Sequence, residues 1–497
     1  MTAPPLGPGG PALDQSRAPY FEALRRYTSK DRAAFHTPGH ISGKGAHPWL
    51  RDAVGMDVLR LDICPGLDGL DGGPQSALAA AQALAADAYG AERTVFLVNG
   101  STAGNQIMLM TTCHPGDVVL TSRNTHKSIV GGLVVSGARP VYIRPELDPE
   151  SHIAHGVTAE QVQDGLDAHP EAKAVLIVSP TYYGACSDVA GIADVAHYHG
   201  VPLLVDEAWG AHFPFHPSLP PHALSVGADM AVTGVHKLLG AFLQASLVHV
   251  QGELVDHDRM DVVSGMIQST SASALLRASL DVARMQMVTE GEGLLTGVIA
   301  LAEETREMIE AHPRLSCLGK DLVGNHGVVA VDPTRLVVNV TATGRTGYEV
   351  DHLLEQSYDV AVELSDFANV LADVTIGHDR RDLGRFADAL KALADDPQDE
   401  RLNRIGFVEE ALRVLPEQAL SPMEAFHSPQ ERVGLMQAVG RISAEMAATY
   451  PPGIPVLVPG ERLNPALVEH LAAQVEAGGR IVGPADPRLD SIRVVRE

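Results

Sequence analysis

The sequence predicts an α/β fold with a mainly parallel central sheet, and three observations predict it. First, short apolar runs recur between residues 32 and 250: TVFLVNG at 94, DVVLTS at 117, RPVYI at 139, AVLIVSP at 174, VPLLVDE at 201, DMAVTG at 229 and ASLVHV at 245. They are continuous and rich in β-branched residues, as strands buried on both faces are. Second, helical patterns separate them, such as SALAAAQALAADAYG at 76 and DVAGIADVAHYHG at 188. The latter ends on Gly200, a residue suited to closing a helix. Third, strand and helix alternate, which is the arrangement of parallel strands joined by crossovers.

The flanks read differently. Residues 1–18 are rich in Pro, Gly and Ala and begin an N-terminal arm over 1–30. The large domain is expected over 31–310, and its last part, 272–311, is mostly helical. Residues 336–366 read as strand, helix, strand, which suits a smaller α/β domain over 311–395. The acidic DDPQDE at 395 reads as a linker into a C-terminal domain over 396–497, which carries the run YPPGIPVLVPGE at 450. No internal repeat is present.

Bulk properties narrow the function. The 497 residues are 45% hydrophobic and 20% charged, ordinary for a globular protein. With 37 basic and 62 acidic residues the formal charge is −25. Such a surface repels phosphate backbones, so nucleic acid is not an expected partner. Cys64, Cys113, Cys186 and Cys317 are scattered with no C-x-x-C pair, which suits reduced thiols in the cytoplasm. No apolar run reaches the length of a membrane span, and the first residues lack the pattern of a secretory signal. A cytoplasmic protein that does not contact membranes is therefore expected. No G-x-x-x-x-G-K-[ST] loop or H-E-x-x-H occurs. His36 and His40 flank Thr-Pro-Gly, which breaks a helix, so no metal is expected.

In an open parallel sheet, ligands bind at the carboxyl ends of the strands. Three such ends carry chemistry. NGSTAGN at 99 lies between a strand and a helix, and its Gly100, Ser101, Thr102 and Ala103 can cradle a phosphate at the helix start. Ser101 or Thr102 can equally be an ordinary helix cap. Asp206 ends the strand VPLLVDE, where its carboxylate faces the ligand crevice or caps the next segment. Lys237, in DMAVTGVHKLLGAF, follows another strand. Among apolar neighbours its amine loses a proton more easily and becomes a nucleophile, although a lysine with its head in solvent is the commoner outcome. In order, these are a phosphate cradle, a carboxylate for a protonated ring nitrogen and an amine for an aldehyde. Pyridoxal 5'-phosphate needs all three. His126, in RNTHKS, can stack on the ring or be a polar loop residue.

The chain resembles the ornithine/lysine/arginine decarboxylase family of fold-type-I pyridoxal-phosphate enzymes, in its short form without an N-terminal wing domain. The resemblance rests on FHTPGH at 35, LVNGSTAGNQ at 97, NTHKS at 124, SPTYYG at 179, LLVDEAWGAHF at 203, HKLLGAFLQAS at 236, QSTSASALLRASLD at 268, VELSD at 362 and YPPGIPVLVPGE at 450. It implies Lys237 as the Schiff-base lysine, Asp206 on the pyridinium nitrogen, His126 on the ring face, and Ser101 and Thr102 on the phosphate. It also implies that Ala208 and Trp209 line the pocket and that His236 is a phosphate ligand or proton donor. A homodimer or higher homo-oligomer with a shared site is implied, with Thr270 or Ser271 reaching the partner's phosphate. One departure stands out. The family commonly has Ser-Thr-His-Lys where this chain has Gly234-Val235-His236-Lys237, so a phosphate-binding hydroxyl is missing at Gly234, and Thr233 is the candidate to replace it.

The implied reaction converts arginine, lysine or ornithine to its polyamine-type amine and carbon dioxide. The substrate's side-chain cation needs an acceptor, for which Glu363, Asp366 and Glu461 are candidates; each can equally be a solvated acid. Transamination, retro-aldol cleavage and β-elimination run on the same scaffold and stay open.

Overall fold

The computed structural model describes residues 13–64, 66, 69–398, 415–449, 453–476 and 478–496. Most of the arm over 1–18, the end of the DDPQDE linker and the first residues of YPPGIPVLVPGE lie outside the described residues. The chain forms two compact units. One combines residues up to Thr111 with Val205–Leu295, and the other combines Thr112–Leu204 with the chain from Thr296.

In the first unit, Arg93–Leu97 pairs antiparallel with Ser246–Val250, with Leu97 opposite Ser246. Ser246–Val250 pairs antiparallel in turn with Met230–Thr233. The run at 245 therefore departs from the parallel pattern that its composition suggested. The cause is the connection before it. Between Thr233 and Ser246 the chain holds only one helical turn, Val235–Leu238. That turn rises about 6 Å, well short of the crossover helix a parallel return needs.

The helices of this unit follow their sequence signals. Ala77–Tyr89 starts at Ser76, whose hydroxyl accepts from the Ala79 N–H at 3.1 Å, and stops at Gly90 in the left-handed region. Gly100–Thr112 begins at Gly100, with φ +69°, so Ser101 and Thr102 lie in its first turn and neither is the cap. Its Gly104 lets the helix close on the sheet: a Cβ there would stand 2.3 Å from Val232 Cγ2.

In the second unit, Val118–Ser122 lies between parallel neighbours Arg139–Ile143 and Ala174–Val178. The helix Val189–Tyr198 is capped by Asp188 and ends before Gly200, which has φ +71°. Beyond the 37-residue helix Ala274–Glu310, which runs from one unit into the other, residues 336–366 fold as strand, helix, strand. The strands Arg335–Asn339 and Leu364–Ser365 both pair antiparallel with Asn369–Asp373. Helix Arg380–Asp395 buries Leu383, Phe386, Leu390 and Leu393 along one face against this sheet's core. The spacing of three and four residues makes that stripe, and each such side chain contributes about 1.5–3 kcal/mol on full burial. A further core, built from Leu457, Leu463, Leu467, Val468, Leu471 and Ile492 among others, organises the C-terminal residues. Among the described residues no helix is long and apolar enough to cross a membrane.

Gly104→Ala is expected to destabilise the fold. Overpacking costs about 1–3 kcal/mol and exceeds the gain of about 1 kcal/mol in helix propensity. A urea titration should show a lower midpoint with unchanged slope; an equal or higher midpoint would show that Val232 yields freely.

Candidate active site

Asp206 ends the strand Leu203–Asp206 and is 4% exposed. No helix follows for it to cap. Its carboxylate instead accepts from Asn105 Nδ2 at 2.7 Å and from the Ala208 N–H at 3.2 Å. Asn105 reaches it from the second turn of helix Gly100–Thr112, itself fully buried. Burial pushes the Asp206 carboxyl above its ordinary range, while the charge of Lys237 and these two hydrogen bonds hold it down. A buried carboxylate with a cation in reach is stable as an anion only while that cation stays.

Lys237 lies in the turn Val235–Leu238, half-buried, with Nζ 3.8 Å from the centroid of the Trp209 ring. It is not a solvent-facing lysine on an exposed helix. Trp209 is 6% exposed and Ala208 likewise. The indole face favours the protonated amine. His236 turns its Nδ1 to the Ala245 carbonyl at 2.9 Å, so that nitrogen carries the proton of the neutral ring. Burial lowers the His236 pKa below its usual value, and the neighbouring Lys237 charge lowers it further.

The helix start at NGSTAGN presents backbone donors, with a change to the expected set. The Gly100 N–H donates to the Gln244 carbonyl at 2.9 Å, so Gly100 provides backbone geometry, not a donor. The donors this helix start leaves without an intrahelical acceptor, Gly100 aside, are those of Ser101 and Thr102. Thr233 is also corrected. It is fully buried, and its hydroxyl lies 3.0 Å from His249 Nε2 in the core, so it does not replace the hydroxyl missing at Gly234. Ser246, which sequence reasoning missed, lies beside this helix start instead, its hydroxyl 3.2 Å from that of Ser101. Thr270 and Ser271 are exposed on the loop before helix Ala274–Glu310.

In the second unit, His126 caps helix Lys127–Ser136, its Nδ1 accepting from the Ser128 N–H at 3.3 Å. Its ring lies 6.2 Å from that of Tyr182. Two of the three candidate substrate acceptors are spent inside the fold. Asp366 accepts from the Tyr183 hydroxyl at 2.7 Å, from the Ala368 and Asn369 N–H groups at 2.8 and 2.7 Å, and from Asn369 Nδ2. That fills a carboxylate's acceptor sites. Glu461 is 1% exposed and takes Nε and Nη2 of Arg123 on its two oxygens at 3.1 and 3.0 Å, plus the Val458 N–H at 2.7 Å. Arg123 also bonds the carbonyls of Pro455 and Val456. The run at 450 therefore fastens to the strand end that precedes His126. Only Glu363 is exposed.

Comparison with known proteins places this geometry. The model of the Orn/Lys/Arg decarboxylase major domain matches residues 18–382, and that of the family's C-terminal domain matches 406–483. The chain belongs to the Orn/Lys/Arg decarboxylase family. It is a decarboxylase of the basic amino-acid class. It is 38% identical over 487 residues to an arginine decarboxylase of Bacillus subtilis, covering 98% of this chain and 99% of that one. It is 39% identical to an arginine decarboxylase of Halalkalibacterium halodurans, covering 97% and 98%. The solved lysine decarboxylase of Francisella novicida shares the fold, with TM-score 0.82 at 22% identity, covering 96% of this decarboxylase and 81% of that chain. Lysine decarboxylase A from Pseudomonas aeruginosa gives 0.81 at 24%, covering 96% and 80%.

Glu461→Ala leaves Arg123 buried without its counter-charge and is expected to cost about 3–5 kcal/mol. Glu461→Gln, which keeps an acceptor, should lose less. If chemical denaturation finds both within 0.5 kcal/mol of wild type (about the spread of surface changes), the pair does not hold the segment.

Proposed function

We propose that the protein is a pyridoxal-phosphate-dependent arginine decarboxylase. The observation that carries the cofactor is the buried Asp206 carboxylate, held by Asn105 and electrostatically coupled to Lys237. A carboxylate this deep needs a cationic partner, and the cofactor's protonated ring nitrogen is one. The rest of the first unit fits the same group. The helix start at Ser101 and Thr102 suits a phosphate, Lys237 suits an aldehyde, and Trp209 and Ala208 supply an apolar wall.

Pyridoxal phosphate would supply an aldehyde that bonds amino groups and a ring that accepts the electrons released with carbon dioxide. The chain's own residues do the rest. Asp206 would keep the proton on the ring nitrogen, with Asn105 fixing its orientation. Ser101 and Thr102 would bind the phosphate and set the angle at which substrate is presented. Of the two candidate proton donors, Lys237 is favoured for returning a proton to the substrate's α-carbon. His236 is held neutral by burial and its Nδ1–H is engaged by Ala245. Glu363 remains the candidate acceptor for the guanidinium. His126 keeps the ring-facing role that the resemblance assigns. Thr270 and Ser271, being exposed, suit contact with the phosphate of a second copy in a homodimer. Arginine is favoured over lysine because two relatives 38% and 39% identical along nearly their full length are arginine decarboxylases. The amine released is of the polyamine-precursor kind.

Borohydride reduction of the cofactor-loaded protein should tag the peptide bearing Lys237, and Lys237→Ala should abolish turnover while keeping the fold. A panel of arginine, lysine and ornithine, read by product mass, should give the amine of arginine as the main product. Faster turnover of lysine would overturn the substrate assignment, and a keto acid in place of an amine would overturn decarboxylation.

A further inference from the structure

A glycine at 234 removes a hydroxyl from the place where the family resemblance leads one to expect a phosphate ligand. The structure shows what stands there instead. A Cβ built on Gly234 would lie 2.7 Å from the Ala208 carbonyl oxygen, 3.2 Å from Lys237 Cδ and 3.2 Å from Ser101 Oγ. The first of these is backbone and cannot swing away. It is also engaged, because the Gly234 N–H donates to that same carbonyl at 3.1 Å. The φ of Gly234 is −92°, so no unusual backbone angle demands glycine. Space does.

The space is occupied from the helix side by the Ser101 hydroxyl. Behind it is Ser246, fully buried, whose hydroxyl is 3.2 Å from that of Ser101. Ser246 is there because its strand runs antiparallel to Arg93–Leu97, which puts its first residue opposite Leu97, at the edge from which the helix departs. The approach is tight. Gln244, a non-glycine at φ +76°, turns its carbonyl to the Gly100 N–H. Backbone held in that region has a cost that a functional constraint commonly explains.

We propose that Ser246 is a positioning residue for the phosphate grip: its buried hydroxyl orients that of Ser101, and Gly234 is the gap that admits the Ser101 side chain. The inference rests on the pyridoxal-phosphate reading above. Ser246 does not touch the ligand. It limits the rotation of Ser101, whose hydroxyl then meets a phosphate oxygen already aimed, with less ordering on binding. A serine at 234 is therefore not a repair. Its Cβ would press on Ala208 and displace Ser101.

The test is cofactor affinity measured by equilibrium dialysis of the full chain, with pyridoxal 5'-phosphate and with pyridoxal, which lacks the phosphate. Ser246→Ala should raise the Kd for pyridoxal phosphate roughly three- to tenfold, the worth of one net hydrogen bond, and leave that for pyridoxal unchanged. Gly234→Ser and Gly234→Ala should both weaken pyridoxal phosphate binding, by roughly tenfold or more. Ser101→Ala combined with Ser246→Ala should be no worse than Ser101→Ala alone. Circular dichroism on each variant separates loss of fold from loss of grip. Equal loss of both ligands in a folded Ser246→Ala, or tighter binding by Gly234→Ser, would overturn the proposal and leave the cofactor reading standing. Failure of the wild-type chain to bind pyridoxal phosphate would overturn both.

Discussion

The arrangement depends on one constraint: a carboxylate at the end of a buried strand must have partners. Asp206 is nearly inaccessible to water, and burial alone would push it toward the neutral acid. Everything placed around it opposes that. Asn105 donates from the neighbouring helix, Ala208 from the turn, and Lys237 contributes its charge. Asn105 can reach Asp206 only if its helix lies close to the sheet, and Gly104, one residue earlier, permits that approach. A packing choice at 104 and an electrostatic requirement at 206 are thus one feature. The same helix leads with its donor-rich end at Ser101, so that end and the Asn105 amide on Asp206 are set by one rigid element.

Much of this was legible in the sequence because strand, helix and cap signals are local. Ser76 and Gly90 bracket one helix, and Asp188 and Gly200 another, where the pattern suggested. Asp206 stood out as an acid at the end of an apolar run, and Lys237 as a lysine among apolar residues just after another strand. Family motifs supplied roles that spacing could not.

What the sequence did not show is non-local. ASLVHV reads as a buried strand in either direction, since its composition carries no orientation. Read as parallel, Ser246 falls at the edge away from the ligand; run antiparallel, it falls beside Ser101. Thr233 looked free to act because nothing in the sequence announces His249, sixteen residues on, as its partner. The acids of the C-terminal half were misleading for a related reason. Asp366 and Glu461 have the right chemistry for a cationic substrate, but their partners Tyr183 and Arg123 come from distant parts of the chain. A carboxylate's function depends on which donors reach it first, and that is a property of the fold.

The neighbour of Asp206 shows how the molecule separates structural from chemical charge. Glu207 is also buried, and successive residues of an extended chain point to opposite sides. Glu207 pairs with His222 and accepts the Ala223 N–H at 2.9 Å, while Asp206 turns toward Asn105. Near His222 lies His249, which burial holds well below its ordinary pKa and therefore neutral. Its two ring nitrogens sit between the hydroxyls of Thr94 and Thr233, at 2.8 and 3.0 Å. A neutral imidazole needs one acceptor and one donor, and a hydroxyl can be either, so the two threonines satisfy it in either tautomer. The core around Glu207 thus carries a carboxylate beside an imidazole and an uncharged histidine. Asp206, on the other side, is the carboxylate that the charge of Lys237 helps to keep ionised against burial.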